Sequence, residues 1–224
     1  MANERRPKLD RDVFVNAAIR IASRREPDGL TTRVLGAELG VDRTAVWRHF
    51  TDKDALLKAV GDRLLEMATE RVDLTADPRT RLRQLANATA DIFTAHPHVA
   101  SELSLLGTSG PGELASIEIM LAALTEIGLA KPAAALLQRT MADTVLALLS
   151  AHATHSLLRE HADEDNAVWV AGFRAINPNR YPSVSAHADE LARIEFSDIF
   201  EALFASFMTS VSGFANRDSE TAPQ

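Results

Sequence analysis

Apolar residues in this chain return every three or four positions and rarely every second one, the period of helices and not of strands. The first such stretch, residues 10–24, places Val13, Phe14, Ala17, Ala18 and Ile21 on one face. Pro27-Asp28-Gly29 stops it. A second helix is expected from Thr31 or Thr32 to Gly40, and a third, short one from about Arg43 to Phe50. Thr51-Asp52 then caps a helix through Ala55, Leu56, Val60, Leu64, Leu65 and Met67 that reaches towards Asp73. Pro78 opens another, ending near His96-Pro97. Further helices are expected over residues 113–127, 132–161, 188–193 and 197–216, the second of them long and strongly apolar. Between 162 and 188 an acidic run and two prolines, Pro178 and Pro182, predict an irregular connection. Beyond Arg217 a disordered tail is expected. The fold class is all-α.

Composition narrows the chemistry. The 224 residues include no cysteine, which excludes disulfides, thiolate catalysis and cysteine-ligated zinc. The polar start does not lead into the apolar stretch of a signal peptide, and no run of some 18 apolar residues occurs. A soluble, cytoplasmic protein without a membrane partner is expected. The net charge of −7 hides an asymmetry: residues 1–60 hold 12 Lys/Arg against 9 Asp/Glu, and the remainder 12 against 22. A small phosphate-binding module joined to an acidic domain has this balance.

The stretch from Thr31 to Phe50 turns that balance into a specific expectation. Two helices crossing steeply over a short turn need a residue with almost no side chain at the crossing, which Gly36 supplies. The turn needs a residue tolerant of positive φ, which Gly40 supplies. Leu35, Leu39, Val41 and Val46 plug the angle, and Asp42 caps the next helix. These requirements are met in register, so the segment reads as a helix-turn-helix that binds double-stranded DNA, with its second helix in the major groove. On that helix Arg43 is placed to read guanine, Thr44 a base or phosphate, and Ala45 a thymine methyl. Arg48 is exposed on the same helix, and Trp47, His49 and Lys53, further along, are placed for backbone phosphates. Thr31, Thr32 and Arg33, at the start of the preceding helix, face another phosphate. Arg5, Arg6 and Lys8 read equally as a DNA-binding arm and as a solvated start.

With these residues in view, residues 9–70 resemble the DNA-binding domain of the TetR family of transcriptional regulators. Leu30-Thr31-Thr32-Arg33, Leu39-Gly40-Val41, Trp47-Arg48-His49-Phe50 and Asp52-Lys53-Asp54-Ala55-Leu56-Leu57 follow that family's order and spacing. Three positions depart from it: Gly36 stands where alanine is usual, Trp47 where tyrosine is usual, and Asp42 where serine is common. The resemblance implies a helix-turn-helix DNA-binding domain over residues 1–55 and a helical ligand-binding and dimerisation domain over 56–216, with 217–224 as tail. It also implies a homodimer, most often a repressor, that holds a palindromic operator and leaves it when a small-molecule effector enters the C-terminal domain. Pro182-Ser183-Val184 and the stretch Phe196-Ser197-Asp198-Ile199-Phe200-Glu201 match the family more loosely. The last two long helices would pair with their copies in a four-helix bundle.

Apolar residues on the middle helices, Phe93, Leu103, Leu106, Met120, Leu124, Met141, Trp169 and Phe173, are the candidates for an effector pocket, and an apolar molecule is the default occupant. His152 and His155 share a helix face but lack a third ligand, so no metal and no cofactor is expected. There is no Gly-rich phosphate loop, no Gly-x-Ser-x-Gly elbow and no His-Glu-x-x-His, which argues against an enzyme. The competing reading keeps the fold but has the helical dimer act through protein contacts. The exposed Arg43, Thr44 and Arg48 weigh against it.

Overall fold

The computed structural model describes residues 10–24, 29–103, 107–158, 171–172 and 175–221. Among them every regular element is a helix. Asp10 accepts a hydrogen bond from the Val13 amide (3.0 Å) and starts α1, Arg11–Ala22, which buries Phe14, Val15, Ala17, Ala18 and Ile21. Next come α2, Thr32–Leu39, and a 3₁₀ helix, Arg43–Arg48. Then follow α3, Lys53–Thr69, α4, Pro78–Ala95, α5, Pro97–Leu103, and α6, Pro111–Glu126. The long α7 spans Lys131–Leu158; α8, Pro182–Ala186, and α9, Ala188–Leu191, are short; α10 runs Phe196–Thr221.

Four features differ from the sequence reading. The element after the turn at Gly40 is a 3₁₀ helix ending at Arg48, not a helix reaching Phe50. The His96-Pro97 stop is also a start: His96 leaves the helical region at φ −127°, ψ 60°, its Nδ1 sits 2.7 Å from the Ile92 carbonyl, and Pro97 opens α5. Pro182 likewise opens α8 at the first-turn position where proline's missing N–H costs nothing. The final helix continues to Thr221; Arg217, where the tail was expected to begin, donates to the Gly213 carbonyl (3.2 Å) and lies over the Phe214 ring.

One apolar core runs without a break from Phe14 in α1 to Val211 in α10. Helix α3 passes through both halves, so the boundary drawn at residues 55 and 56 falls inside a helix. It packs on α1 on one side of the boundary and on α4, α5 and α6 as well, so both halves share it. Helix α5 lies along α7, where Ser150 Oγ donates to the Ser101 carbonyl at 3.1 Å. Arg83 ties α4 to α10 by an ion pair to Glu201 (2.8 Å) and by lying over the Phe204 ring.

The tightest contact is between α3 and the first turn of α6. A Cβ on Gly112 would sit 2.1 Å from the Asp62 carbonyl oxygen and 2.7 Å from the Glu66 nitrogen, both backbone atoms that cannot step aside. Gly112→Ala therefore has to push the two helices apart. The expected loss is at least about 1–3 kcal/mol of stability, the range for overpacking a core. Denaturant unfolding checks it, and an unchanged midpoint would show that the contact is loose.

Candidate nucleic-acid interface and cavity

The turn of the helix-turn-helix is built from its glycines. Gly40 ends α2 at φ 64°, and its amide and that of Val41 bond back to Ala37 (3.2 Å) and Gly36 (2.9 Å), a left-handed helix end. A Cβ on Gly36 would lie 2.9 Å from the Val41 carbonyl oxygen, so at this crossing the usual alanine does not fit without a shift. Asp42 then accepts from the Thr44 amide at 2.8 Å and begins the 3₁₀ helix. Bonds from the Thr44 hydroxyl and amide hold the Asp42 carboxyl below its ordinary 3.8. Three residues per turn align Thr44 with Trp47 on one edge and Ala45 with Arg48 on another, while Val46 is wholly buried.

What faces outward is therefore Arg43, Thr44, Trp47 (43% exposed) and Arg48. Ala45 is half-buried. His49 is half-buried, its ring 4.8 Å from that of Phe14, a contact that ties the end of the 3₁₀ helix to α1. Thr31 is exposed and caps α2 through the Val34 amide (3.2 Å), with Arg33 exposed beside it and Thr32 half-buried. Lys53 is exposed but pairs with Glu102 of α5 at 2.6 Å. Arg20 of α1 and Arg24 just beyond its end both reach Glu38 of α2, at 3.4 and 2.9 Å; the Arg24 bond leads in holding the Glu38 carboxyl below its ordinary range. Arg5, Arg6 and Lys8 lie outside the described residues.

A cavity of about 220 Å³ opens between α4, α6, α7 and α10, with Leu65 of α3 in its wall. Of the residues named as effector-pocket candidates, Met120 and Met141 line it. Phe93 and Leu124 do not, because both are sealed between helices. Leu106, Trp169, Phe173 and the Leu103 side chain lie outside the described residues. The sequence reading missed Gln138, Phe204 and Phe207, apolar or amide positions indistinguishable from core in a helical pattern, and the polar end of the cavity around Thr108 and Glu113.

That polar end is joined to α3. Gly110 begins α6 without a side-chain cap, and Asp62 fills the role from across the core, accepting from the amides of Gly112 (3.3 Å) and Glu113 (3.0 Å). The Thr108 hydroxyl lies 2.9 Å from both the Asp62 and Glu113 carboxylates and can donate to only one at a time. Glu113 also accepts from the amide of Ser109 (2.6 Å), a residue held at φ 55°. A left-handed non-glycine residue stores strain, and here Glu113 pins it. No motif signals this, since Asp62 and its partners are some fifty positions apart. Among the described residues, no group of three or more His, Asp or Glu is placed to hold a metal ion, and no helix is long and apolar enough to cross a membrane.

Two outcomes follow from these caps. Asp62→Ala should lower stability by about 0.5–2 kcal/mol and speed hydrogen exchange at the amides of Gly112 and Glu113, with Asp62→Asn intermediate. Faster exchange confined to other segments would contradict the cap. Asp42 and Asp52 both have carboxyls depressed below 3.8, Asp52 mainly by the Ala55 amide. Each stabilises the folded state fully above that value and loses the effect as pH falls through its lower folded value. The NMR shifts of the Thr44 and Ala55 amides should therefore titrate with midpoints below 3.8.

Residues 14–60 match the profile of bacterial regulatory proteins of the tetR family. Over 128 residues, 57% of the chain, the sequence is 28% identical to the HTH-type transcriptional repressor DrrR1 of Streptomyces coeruleorubidus, of which 47% is covered. The chain spans about half the length of the curated relatives it matches. In fold it is similar to the TetR family protein ActR of Streptomyces coelicolor in complex with actinorhodin (TM-score 0.76, 18% identity, 92% of this chain and 97% of that one). It is also similar to BioQ with its double-stranded DNA operator (TM-score 0.57, 25% identity, 74% and 98%). The matched proteins are regulators and not enzymes. Residues 14–60 thus carry the helix-turn-helix domain of bacterial regulatory proteins of the tetR family, and the helical fold behind it is similar to that of solved regulators of that family.

Proposed function

We propose that this chain is a cytoplasmic transcriptional repressor that binds a palindromic operator as a homodimer and leaves it when a small-molecule effector enters the cavity. Residues 1–55 act as the DNA-binding unit and 56–216 as the unit that takes the effector and the second copy. DrrR1 is a transcriptional repressor, the BioQ structure holds its operator, and the ActR structure holds actinorhodin. Arg43 and Thr44 are assigned to base edges, with Ala45 beside a thymine methyl. Trp47, Arg48, Lys53 and the start of α2 at Thr31, Thr32 and Arg33 are assigned to phosphates, while His49 positions the 3₁₀ helix from behind.

The observation that carries the ligand-responsive part is the hydrogen-bonded link from the cavity wall to α3. Thr108 and Glu113 line the cavity and share Asp62 with the first turn of α6. Helix α3 begins three residues after Phe50, so a change at Asp62 tilts the element that carries the DNA-binding face. An effector that loosens operator binding 100-fold must favour the released shape by about 2.7 kcal/mol. The dimer reading draws on α10, whose outward side is small and exposed: Ala202, Ala205, Ser206, Thr209, Ser210 and Gly213. Such a face lets a second helix pair come close.

Selection of bound sites from a random DNA pool at fixed salt tests the reading, and an enriched palindrome is expected. On the selected site Arg43→Ala should cost about 1–3 kcal/mol and relax preference at one base. Lys53→Ala should weaken all sequences alike and flatten the log–log salt dependence by about one. No enriched sequence, with a helical dimer intact, would favour a protein-contact role instead.

A further inference from the structure

The cavity has one polar group that the protein itself leaves unanswered. The Thr89 hydroxyl donates to the Leu85 carbonyl (2.8 Å) and the Ser116 hydroxyl to that of Gly112 (3.0 Å), so both are satisfied within their own helices. Thr108 is held between two carboxylates, and Arg139 Nε is paired to Asp143 at 2.7 Å. Gln138 of α7 is different. It lines the cavity at 9% exposure, and among the described residues its carboxamide takes part in no hydrogen bond. Its carboxamide is within reach of solvent and not sealed from it, so a ligand that supplies a partner there replaces water with a directed hydrogen bond.

Charge around the cavity has a definite sign. The titratable groups in its wall are Glu113, Arg139 and Asp143, two carboxylates and one guanidinium already paired with one of them. An anion brought to this wall would lose water and meet a net negative surround, which is strongly unfavourable in a partly enclosed site. The rest of the wall is apolar, including Leu65, Leu82, Leu85, Met120 and Phe204. Its volume of about 220 Å³ exceeds the roughly 150 Å³ of a cavity that holds benzene.

We propose that this cavity takes an uncharged or cationic molecule with an apolar body of about two fused rings and one hydrogen-bonding group set against Gln138. The proposal rests on the reading of the cavity as the effector site. Gln138 offers both a carbonyl oxygen and an N–H pair, so it accepts from an ammonium or hydroxyl and pairs fully with a carboxamide. Gln138 is thereby a specificity-determining residue and the anionic counterpart of any ligand is excluded.

Four probes of one shape test this on the full-length protein by calorimetry: naphthalene, 2-naphthamide, 2-naphthylmethylammonium and 2-naphthoate. The amide and the ammonium should bind at least about tenfold more tightly than the naphthoate. Gln138→Leu and Gln138→Met should each weaken the amide about tenfold and leave naphthalene within about threefold, with operator binding retained as the check on folding. Naphthoate binding as tightly as the amide, or amide binding that ignores both substitutions, overturns the ligand chemistry. If naphthoate binds and also weakens operator binding, the effector reading stands while this chemistry falls. If none of the four binds to a chain that still holds its operator, the proposed chemistry falls, and any other molecule that binds this cavity and weakens operator binding would keep the effector reading alive.

Discussion

Helix α6 begins at Gly110, which has no side chain to accept from the amides of the first turn, and the acceptor arrives from Asp62 on a different helix. This arrangement requires Gly112, because its Cα hydrogens are all that fits beside the backbone of α3. Charge and sterics thus specify one contact together. A carboxylate at a helix N-terminus is favoured by the unpaired N–H groups and by the helix dipole, and the close approach brings it there. The wall of the cavity, the position of α6 and the direction of α3 all follow from the same few atoms. Among the described residues Asp62 is the side chain that accepts from these amides, while Glu113 accepts from Ser109.

Helix α3 converts that contact into leverage. From Lys53 to Asp62 the helix rises about 14 Å, a rigid stretch with Asp52 capping its start and Leu56, Leu57, Val60 and Leu64 buried along it. The DNA-binding face is attached at the near end by packing and not by charge. Phe14 meets His49, Val46 is fully enclosed, and Phe50 lies under Arg11. Burial of several such side chains, each about 1.5–3 kcal/mol, outweighs the exposed pairs of Arg20 and Arg24 with Glu38. The face therefore moves with α3 as one body.

Local chemistry was readable from the sequence and distant chemistry was not. Gly36, Gly40 and Asp42 lie within seven positions, and their roles follow from helix geometry alone, which is why the turn was placed correctly. The same reading gave the element after it the wrong length and type, because propensity does not distinguish a 3₁₀ turn from a short α-helix. It missed α5 since a proline after a helix is read as a terminator, although Pro97 is equally suited to a first turn. It did not show that His49 also rests on Phe14, thirty-five positions earlier, a contact that only the fold supplies. Gln138 and Asp62 were invisible for a related reason: one amide among alanines and leucines, and one carboxylate in a charged helix, gain meaning only from neighbours the fold supplies.

The ion pair of Lys53 with Glu102 shows how little charge has to decide in this architecture. Both side chains are about half exposed, so the pair contributes on the order of 0–1 kcal/mol. A phosphate offering Lys53 a second anion releases counterions on binding, and that gain exceeds what Glu102 supplies. Lys53 can therefore exchange partners without disturbing α5, whose place is fixed by its packing along α7 and by the Ser150 hydrogen bond. The pair does not lock the DNA-binding face, nor can its loss release it. In the proposed repressor, control would reach that face through the part-buried seat of Asp62 on α6, where charge and close packing act on the same atoms.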